Sequence, residues 1–519
     1  MNTSKVAIVG GGPAGIAAAK SLLEDGLTPV LIEQSSHIGG QWNQGAAHSG
    51  IWPDMHANSP HVLMSFSDFD HPAGTQMFPS NQEVLAYLTA YARHFGLGPY
   101  IRLNTRVELI SRGPEGQYWV TTRTQDGEEE KELFSHVILA SGRYNYPNFP
   151  NTPGLDQFRG QVLHSFAYRG RQAFAGQRVL VVGNSISGLE IASDLALNDG
   201  PPVLSSCRKP RYIIRKLLHG LPAEQHVFNR FATYLGQILP PPEAAAGLKH
   251  FIVENFGNPA DFGGLPPSDN LLEAGASMCQ EYLDQLASGR IRAVTGVRTF
   301  TPTGALLTSG EEVTADVLLL ATGYGLHLPF LSEDIRQTVL ADDKCLDLHH
   351  FTFHPDLPNV AFLGLFGQIG SYFPTVELQA RWVAACWSGQ HALPTRTQME
   401  QGLAESEQFK QVREEITSHE SMHLFSQDLG VAPTLDRYPD LVRELLFGLL
   451  VPAQFRLEGH RSRPDARARF EQNSRCYTAG QAVPLDQQQR AGLMMLARAL
   501  PQNQALQNLV EQLQPVAVL

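Results

Sequence analysis

Two stretches of the chain repeat one hydrophobic design. Residues 5–10, KVAIVG, are an apolar, β-branched run that ends in Gly10, Gly11, Gly12, Pro13, Ala14 and Gly15. An alanine-rich stretch, IAAAKSLLEDG, follows and stops at Gly26, and TPVLIEQ is a second apolar run that ends at Glu33 and Gln34. Short apolar runs bounded by turn residues predict buried parallel strands, and the alanine-rich stretch between them predicts a helix. Residues 178–183, RVLVVG, begin the same series again. They run into Gly183, Asn184, Ser185, Ile186, Ser187, Gly188, Leu189 and Glu190, then a helical stretch closed by glycine, then the strand PVLSSCRK. Two more apolar runs, VILASGRY (137–144) and VLLLATGY (317–324), end in small residues, among them Gly142, Thr322 and Gly323. Such ends let backbone approach a bound group closely. The predicted class is α/β, with two dinucleotide-binding Rossmann-like domains, the second inserted into the first. The expected divisions are residues 1–165, 166–325 and 326–519, the last including a C-terminal helical region. Residues 217–265, rich in Pro, Ala and Phe, read as a further insertion over a substrate entrance.

The glycine turns carry the first chemistry. Gly10 permits the tight turn, Gly12 lets backbone approach a pyrophosphate at the positive end of the helix, and Gly15 brings helix and strand together. Glu33 is placed to accept hydrogen bonds from a ribose. Because this unit opens the chain and a second nucleotide site follows, FAD is the expected ligand of the first and a nicotinamide cofactor of the second. At the second turn Ser185 replaces the middle glycine. Ser206, Cys207, Arg208 and Lys209 stand where an NAD-specific site carries an acid. Arg208 there can pair with a 2′-phosphate, which selects NADPH. The alternative is that Arg208 and Lys209 form an ordinary solvated face.

Composition narrows the field. A chain of 519 residues exceeds one ordinary core, and 43% hydrophobic with 17% charged residues describes a folded globular protein. A net charge of −12 argues against a nucleic-acid partner. No apolar stretch of about 18 residues is present, and a strand begins almost at the amino terminus, so a cytoplasmic enzyme without a membrane span is expected. The five cysteines, Cys207, Cys279, Cys345, Cys386 and Cys476, include no close pair. That spacing excludes a disulfide reductase built on the same two nucleotide folds. His349, His350 and His354 do not form a metal-ligand pattern.

Phe158 to Tyr168, FRGQVLHSFAY, resembles the identifying pattern F-x-G-x-x-x-H-x-x-x-[YF] of the flavin-containing monooxygenase family, the N- and S-oxygenating class B flavoprotein monooxygenases. Five further elements resemble the family in the same order: Gly39 to Trp42; Asn58 and Ser59 with Phe66 to Phe69; Ala321 to Tyr324 with Pro329 to Leu331; Phe373 to Trp382; and Pro452 to Leu457. Baeyer–Villiger enzymes carry Trp where this chain has Tyr168. The second turn departs from the family's usual form, residues 217–265 match no motif, and 480–519 lacks the apolar anchor of the microsomal members.

The resemblance implies FAD, NADPH and O2 acting on a small-molecule substrate, with a homodimer common in the family. Hydride reduces the flavin, O2 forms a C4a-hydroperoxide, and an amine or sulfide takes its terminal oxygen. Asn58 corresponds to the family's active-site Asn, between the flavin and retained NADP+, and is the expected catalytic residue; Ser59 accompanies it. Gly40, Gln41 and Trp42 are expected along the flavin, with Val107 also at the cofactor site. Ser187 to Glu190 are expected to hold NADP+, and Gln379 to reach the flavin. Glu377 and Arg381 are expected to form a structural ion pair, and His164 and Tyr168 to organise the connection between domains. Ketone oxygenation and an NADPH oxidase producing H2O2 remain alternatives, as does amine hydroxylation of the siderophore type.

Overall fold

The computed structural model describes residues 5–340, 345–478 and 484–513; residues 1–4 and, from the C-terminal stretch above, 480–483 and 514–519 lie outside the described residues. The apolar runs form two five-stranded parallel sheets. The first is ordered Val360–Phe362, His136–Leu139, Lys5–Val9, Thr28–Ile32, Ile101–Arg102. The second is ordered Ile291–Thr295, Val203–Cys207, Val179–Val182, Val317–Leu320, Gln161–His164. Both faces of each sheet are covered, so the strand interiors are continuously apolar: Val6, Ala7, Ile8, Leu180 and Val181 are fully buried.

The chain leaves the first sheet after His136–Leu139, builds the second, and returns with Val360–Phe362 beside the strand it left. The second fold is therefore inserted into the first, as the two return strands predict. Outgoing and incoming chain meet where Tyr146–Pro147 pairs antiparallel with Tyr324–Gly325. Gln161–His164 is already an edge strand of the second sheet, so that sheet begins before residue 166. Each domain also carries a three-stranded antiparallel ribbon, Thr105–Arg112 with Tyr118–Thr124 and Glu129–Phe134, and Val297–Thr301 with Gly304–Leu307 and Glu312–Thr314.

Helix Phe373–Trp387, buried from Phe373 to Cys386, lies against helix Pro13–Glu24. Ala17 and Ala18 on one and Ala380 and Ala384 on the other belong to one apolar core and let the two backbones approach. Residues 217–265 fold as a short hairpin followed by helices Glu224–Val227, Arg230–Ile238 and Pro241–Phe256. Phe231 joins Leu446, Phe447 and Leu493 of the C-terminal helices, while Ile252 and Phe256 pack with Tyr212 and Met278 of the inserted domain.

Three of the motif stretches meet in one buried charge cluster. Arg456, fully buried, lies 3.3 Å from Glu377, 3.4 Å from Glu24 and 3.5 Å from Asp68. Lys20 pairs with Glu24 at 2.7 Å and with Asp68. The Ser67 backbone N–H donates to Glu377 at 2.7 Å, and Arg456 Nε donates to Ser67 Oγ at 2.7 Å. Burial opposes the charged form of Arg456, but the Glu377, Glu24 and Asp68 carboxylates outweigh it and hold the guanidinium above its ordinary range. The expected Glu377–Arg381 pair does not form. Arg381 instead donates to the Phe455 and His460 carbonyls at 3.1 and 2.8 Å, because Arg456 already occupies the Glu377 carboxylate.

Candidate active site

The carboxyl ends of both sheets open into one cleft of about 2220 Å³, the position at which open α/β sheets bind ligands. The two glycine turns enter it with the same geometry. Gly10 has φ +106°, and a Cβ on it would lie 2.6 Å from the Ala140 carbonyl oxygen; Gly183 has φ +120°, and its Cβ would lie 2.2 Å from that of Ala321. Gly15 and Gly188 set the helix-to-strand approach, with added Cβ atoms falling 1.9 and 2.1 Å from the carbonyl oxygens of Gly10 and Gly183. Gly12 and Ser185 are the N-caps of helices Pro13–Glu24 and Ile186–Leu195, so both helix amino termini face the cleft.

Most of the residues anticipated from sequence line this cleft: Gly10 to Ala14, Glu33, Gln34, Gly40 to Trp42, Asn58, Ser59, Val107 and Gly142 from the first domain. Gly183, Ser185, Ser187, Ser206, Arg208, Lys209, Thr322 and Gly323 line it from the inserted domain, joined by Arg298. Glu33 Oε2 accepts from the Gly11 N–H at 2.7 Å and Oε1 from the Ser35 N–H at 2.8 Å, which fixes the carboxylate at the turn. Gln41 donates to the His48 and Tyr144 carbonyls at 2.7 and 3.0 Å and accepts from the Gly50 N–H at 2.9 Å, pinning three loops together.

Five anticipated residues lie behind this surface, the first being Gly15, buried in the packing of its helix. Gly188 and Leu189 are buried in the packing of their helix. Glu190 turns inward to Lys216 at 3.3 Å; burial raises its pKa and Lys216 acts against that shift. Gln379 does not reach the cleft wall. Its amide donates to the Phe351 and Phe362 carbonyls and to Thr352 Oγ1, and its carbonyl accepts from the Gly364 N–H at 3.0 Å. It therefore positions Gly364, which does line the cleft. His164 bonds the Gly323 carbonyl at 3.0 Å, and burial pulls its pKa down to about 4, leaving it neutral. Tyr168 donates to Asp194, which Arg171 also holds at 2.8 Å, while its ring packs edge-on to Trp52.

Sequence reasoning missed Ser141, Arg143, Tyr144, Tyr372 and Glu224, all of which line the cleft. The Tyr144 and Tyr372 hydroxyls are 2.9 Å apart. For Glu224 the available signal was a lone acid in the otherwise uncharged-to-apolar run LPAEQHVF. Asn58 Oδ1, Ser141 Oγ, Arg143 Nη1 and Glu224 Oε2 are buried without a hydrogen-bond partner. Buried polar atoms are ordinarily satisfied, so four unpaired ones lining one cleft mark a site for a polar ligand.

The profile of the family described as FMO-like, flavin-binding monooxygenase-like, matches residues 3–503. The chain belongs to this family. It is 31% identical to flavin-containing monooxygenase 3 of Homo sapiens over 495 residues, covering 89% of this chain and 90% of that protein. It is 30% identical to dimethylaniline monooxygenase (N-oxide-forming) 2 of Cavia porcellus over 481 residues, covering 88% and 89%. The fold matches S-allyl-L-cysteine S-oxygenase from Allium sativum with a TM-score of 0.61 at 24% identity, covering 82% and 89%. The protein is thus a flavin-containing monooxygenase, an oxidoreductase with FAD and NADPH as cofactors, acting on small molecules and O2. Among the described residues, no helix is long and apolar enough to cross a membrane.

Proposed function

We propose that this flavin-containing monooxygenase oxygenates a soft nucleophile, an amine nitrogen or a sulfide sulfur, through a C4a-hydroperoxyflavin. The observation that carries the reading is that both nucleotide turns open into one cleft, with Asn58 on its wall and its Oδ1 unpaired. The residues present fit both cofactors. Gly12 and Ala14 offer backbone N–H groups at a helix amino terminus to the FAD pyrophosphate, and Glu33 stands where a ribose would be recognised. Gly40, Trp42 and Val107 add wall around the flavin. Gly183, Ser185 and Ser187 serve the second pyrophosphate, and Arg208 with Lys209 supplies positive charge for a 2′-phosphate.

Bound flavin supplies hydride acceptance from NADPH and O2 activation. The chain's own groups orient the reactants, exclude water and hold hydrogen bonds that keep oxygen from leaving as H2O2. The Asn58 amide can donate to one cofactor and accept from the other. The name of the Cavia porcellus relative records N-oxide formation and that of the Allium sativum protein S-oxygenation, and both are the chemistry proposed here.

Stopped-flow absorbance on the FAD-loaded protein tests the reading. Reduction by NADPH and mixing with O2 should give an intermediate that decays faster when an amine or sulfide is added. Immediate return to oxidised flavin with stoichiometric H2O2 would identify an oxidase, and ester formation from a ketone panel would identify a Baeyer–Villiger enzyme.

A further inference from the structure

The 217–265 segment, which matches none of the motifs above, brings one acid into the cleft. Glu224 is 1% exposed and lies on the wall with Asn58, Ser59 and Ser371. Its Oε1 accepts from the Ser59 hydroxyl at 2.7 Å, and its Oε2 makes no hydrogen bond. Apolar side chains of Ala57, Met64, Val227, Phe228 and Phe373, all buried, line the same cleft.

The charged and titratable groups around Glu224 leave it uncompensated. Among the described residues, no ion pair includes it. Lys216, from the same segment, is committed to Glu190 at 3.3 Å, and the Asn58 side chain also favours the charged form of Glu190. Tyr477, contributed by the C-terminal region, feels the Glu224 charge, and burial pushes its phenol well up, so it is neutral. His226, two residues along, is also neutral, because burial pulls its pKa down. Burial pushes the Glu224 carboxyl up to about 8, with the Ser59 hydroxyl and the Ser371 backbone N–H acting in the opposite direction. Such a group is protonated at pH 7 and ionises when a cation arrives to compensate it.

We propose that Glu224 is a specificity-determining residue for the oxygenation reaction, pairing with a cationic amine and accepting its proton beside Asn58. The proposal rests on the N-oxygenation reading above. An ammonium nitrogen has no lone pair and cannot attack an electrophilic oxygen. When the ammonium enters, the Glu224 proton leaves to solvent and the carboxylate pairs with the cation. The N–H bond then breaks, its electron pair stays on nitrogen, and the proton moves to the carboxylate. One proton has been released to solvent per amine bound, and the nitrogen is left nucleophilic next to Asn58. A sulfide carries no proton and has no need of this residue.

A permanently charged probe isolates the carboxyl, because it has no proton of its own to lose. Benzyltrimethylammonium is titrated into the FAD- and NADP+-loaded protein by calorimetry at pH 7 in two buffers of different ionisation enthalpy. Benzyl methyl sulfide serves as the neutral counterpart. The wild type should release about one proton per benzyltrimethylammonium bound and none with the sulfide. Its affinity for the cation should rise roughly tenfold per pH unit below the carboxyl pKa of about 8 and flatten above it. Glu224→Gln should release none and bind the cation at least about tenfold more weakly, with affinity independent of pH. Glu224→Asp, which keeps a carboxyl, should restore proton release, and it carries the test if the Gln variant loses FAD. Absence of proton release in the wild type, or equal release in Glu224→Gln, would overturn the proposal. So would equal weakening of cation and sulfide, which would assign the carboxyl to the cofactors. Product analysis with N,N-dimethylbenzylamine and the sulfide runs in parallel. Failure of both to be oxygenated would refute the functional reading, while the calorimetry would still decide the role of Glu224.

Discussion

Replacing Arg456 with Met keeps the apolar stem of the side chain and removes its charge from the buried cluster. Lys20 then remains as the only cation within ion-pair reach of Glu24 and Asp68 among the described residues, and Glu377 loses its ion-pair partner. Stranding buried charge in this way costs about 3–5 kcal/mol. At about 2.1 cal/mol/K per residue, a chain of 519 residues unfolding as one unit has an unfolding entropy near 1.1 kcal/mol/K. The expected fall in Tm is therefore about 3–5 °C. Thermal unfolding followed by release of flavin fluorescence measures it. Arg437 is the control: its pair with Glu458 is 2.6 Å long, but Arg437 is 69% exposed, so Arg437→Met should cost about 0–1 kcal/mol. Adding Glu377→Gln to Arg456→Met should recover part of the loss by removing the stranded anion. The cluster also sets acid sensitivity. Burial raises the Glu24 and Asp68 pKa values, but Arg456 and Lys20 outweigh it, so both carboxyls are held below their ordinary values. Their contribution is fully present above the unfolded carboxylate pKa of about 4 and is lost as pH falls through the lower folded values. Wild type should lose Tm steeply over that window, and Arg456→Met should lose less of it. A shift below about 1 °C for Arg456→Met, or an equal shift for Arg437→Met, would refute the reasoning.

Three further substitutions probe the cleft. Asn58→Ala should leave FAD bound while the fraction of NADPH oxidised to H2O2 rises, measured by peroxide assay against product; unchanged coupling would contradict the proposed role of Asn58 between the cofactors. Gly15→Ala puts a Cβ 1.9 Å from the Gly10 carbonyl oxygen, whereas Gly26→Ala meets nothing within 4 Å but keeps φ +81°. The first should lose bound FAD, read from the absorbance ratio of flavin to protein, and cost about 1–3 kcal/mol; the second should cost about 1 kcal/mol from backbone strain alone and keep its flavin. Arg208→Gln removes a charge-assisted partner for a 2′-phosphate, a loss of about 1.5–3 kcal/mol. KM for NADPH should rise on the order of 10- to 100-fold, while KM for NADH changes little; parallel increases would return Arg208 to the solvated face.

The second half of each glycine turn was legible because its constraint is local: a Cβ on Gly15 would lie 1.9 Å from the Gly10 carbonyl oxygen, five residues back, and the spacing records that collision. The insertion of one fold into the other was legible for a related reason, since each apolar return strand must pair beside the strand its turn leaves. Partner choice across the chain was not. Glu377 and Arg381 share a helix and suggested a pair, but Arg456, 79 residues away, takes the carboxylate. Gln379 has the chemistry to face a flavin, and only the fold shows its amide spent on Phe351, Thr352 and Phe362. Glu224 was hidden because an acid in a Pro- and Ala-rich stretch reads as surface. Only the fold brings it to the Ser59 hydroxyl, 165 residues away in the chain.

The measurement that tests the central claim most directly is turnover of an amine and a sulfide under isotopically heavy O2, with the product analysed by mass spectrometry. The account predicts one heavy oxygen atom in the N-oxide or sulfoxide for each NADPH consumed, with the other recovered in water. Product that carries no label, or NADPH consumption matched only by labelled H2O2, would contradict it.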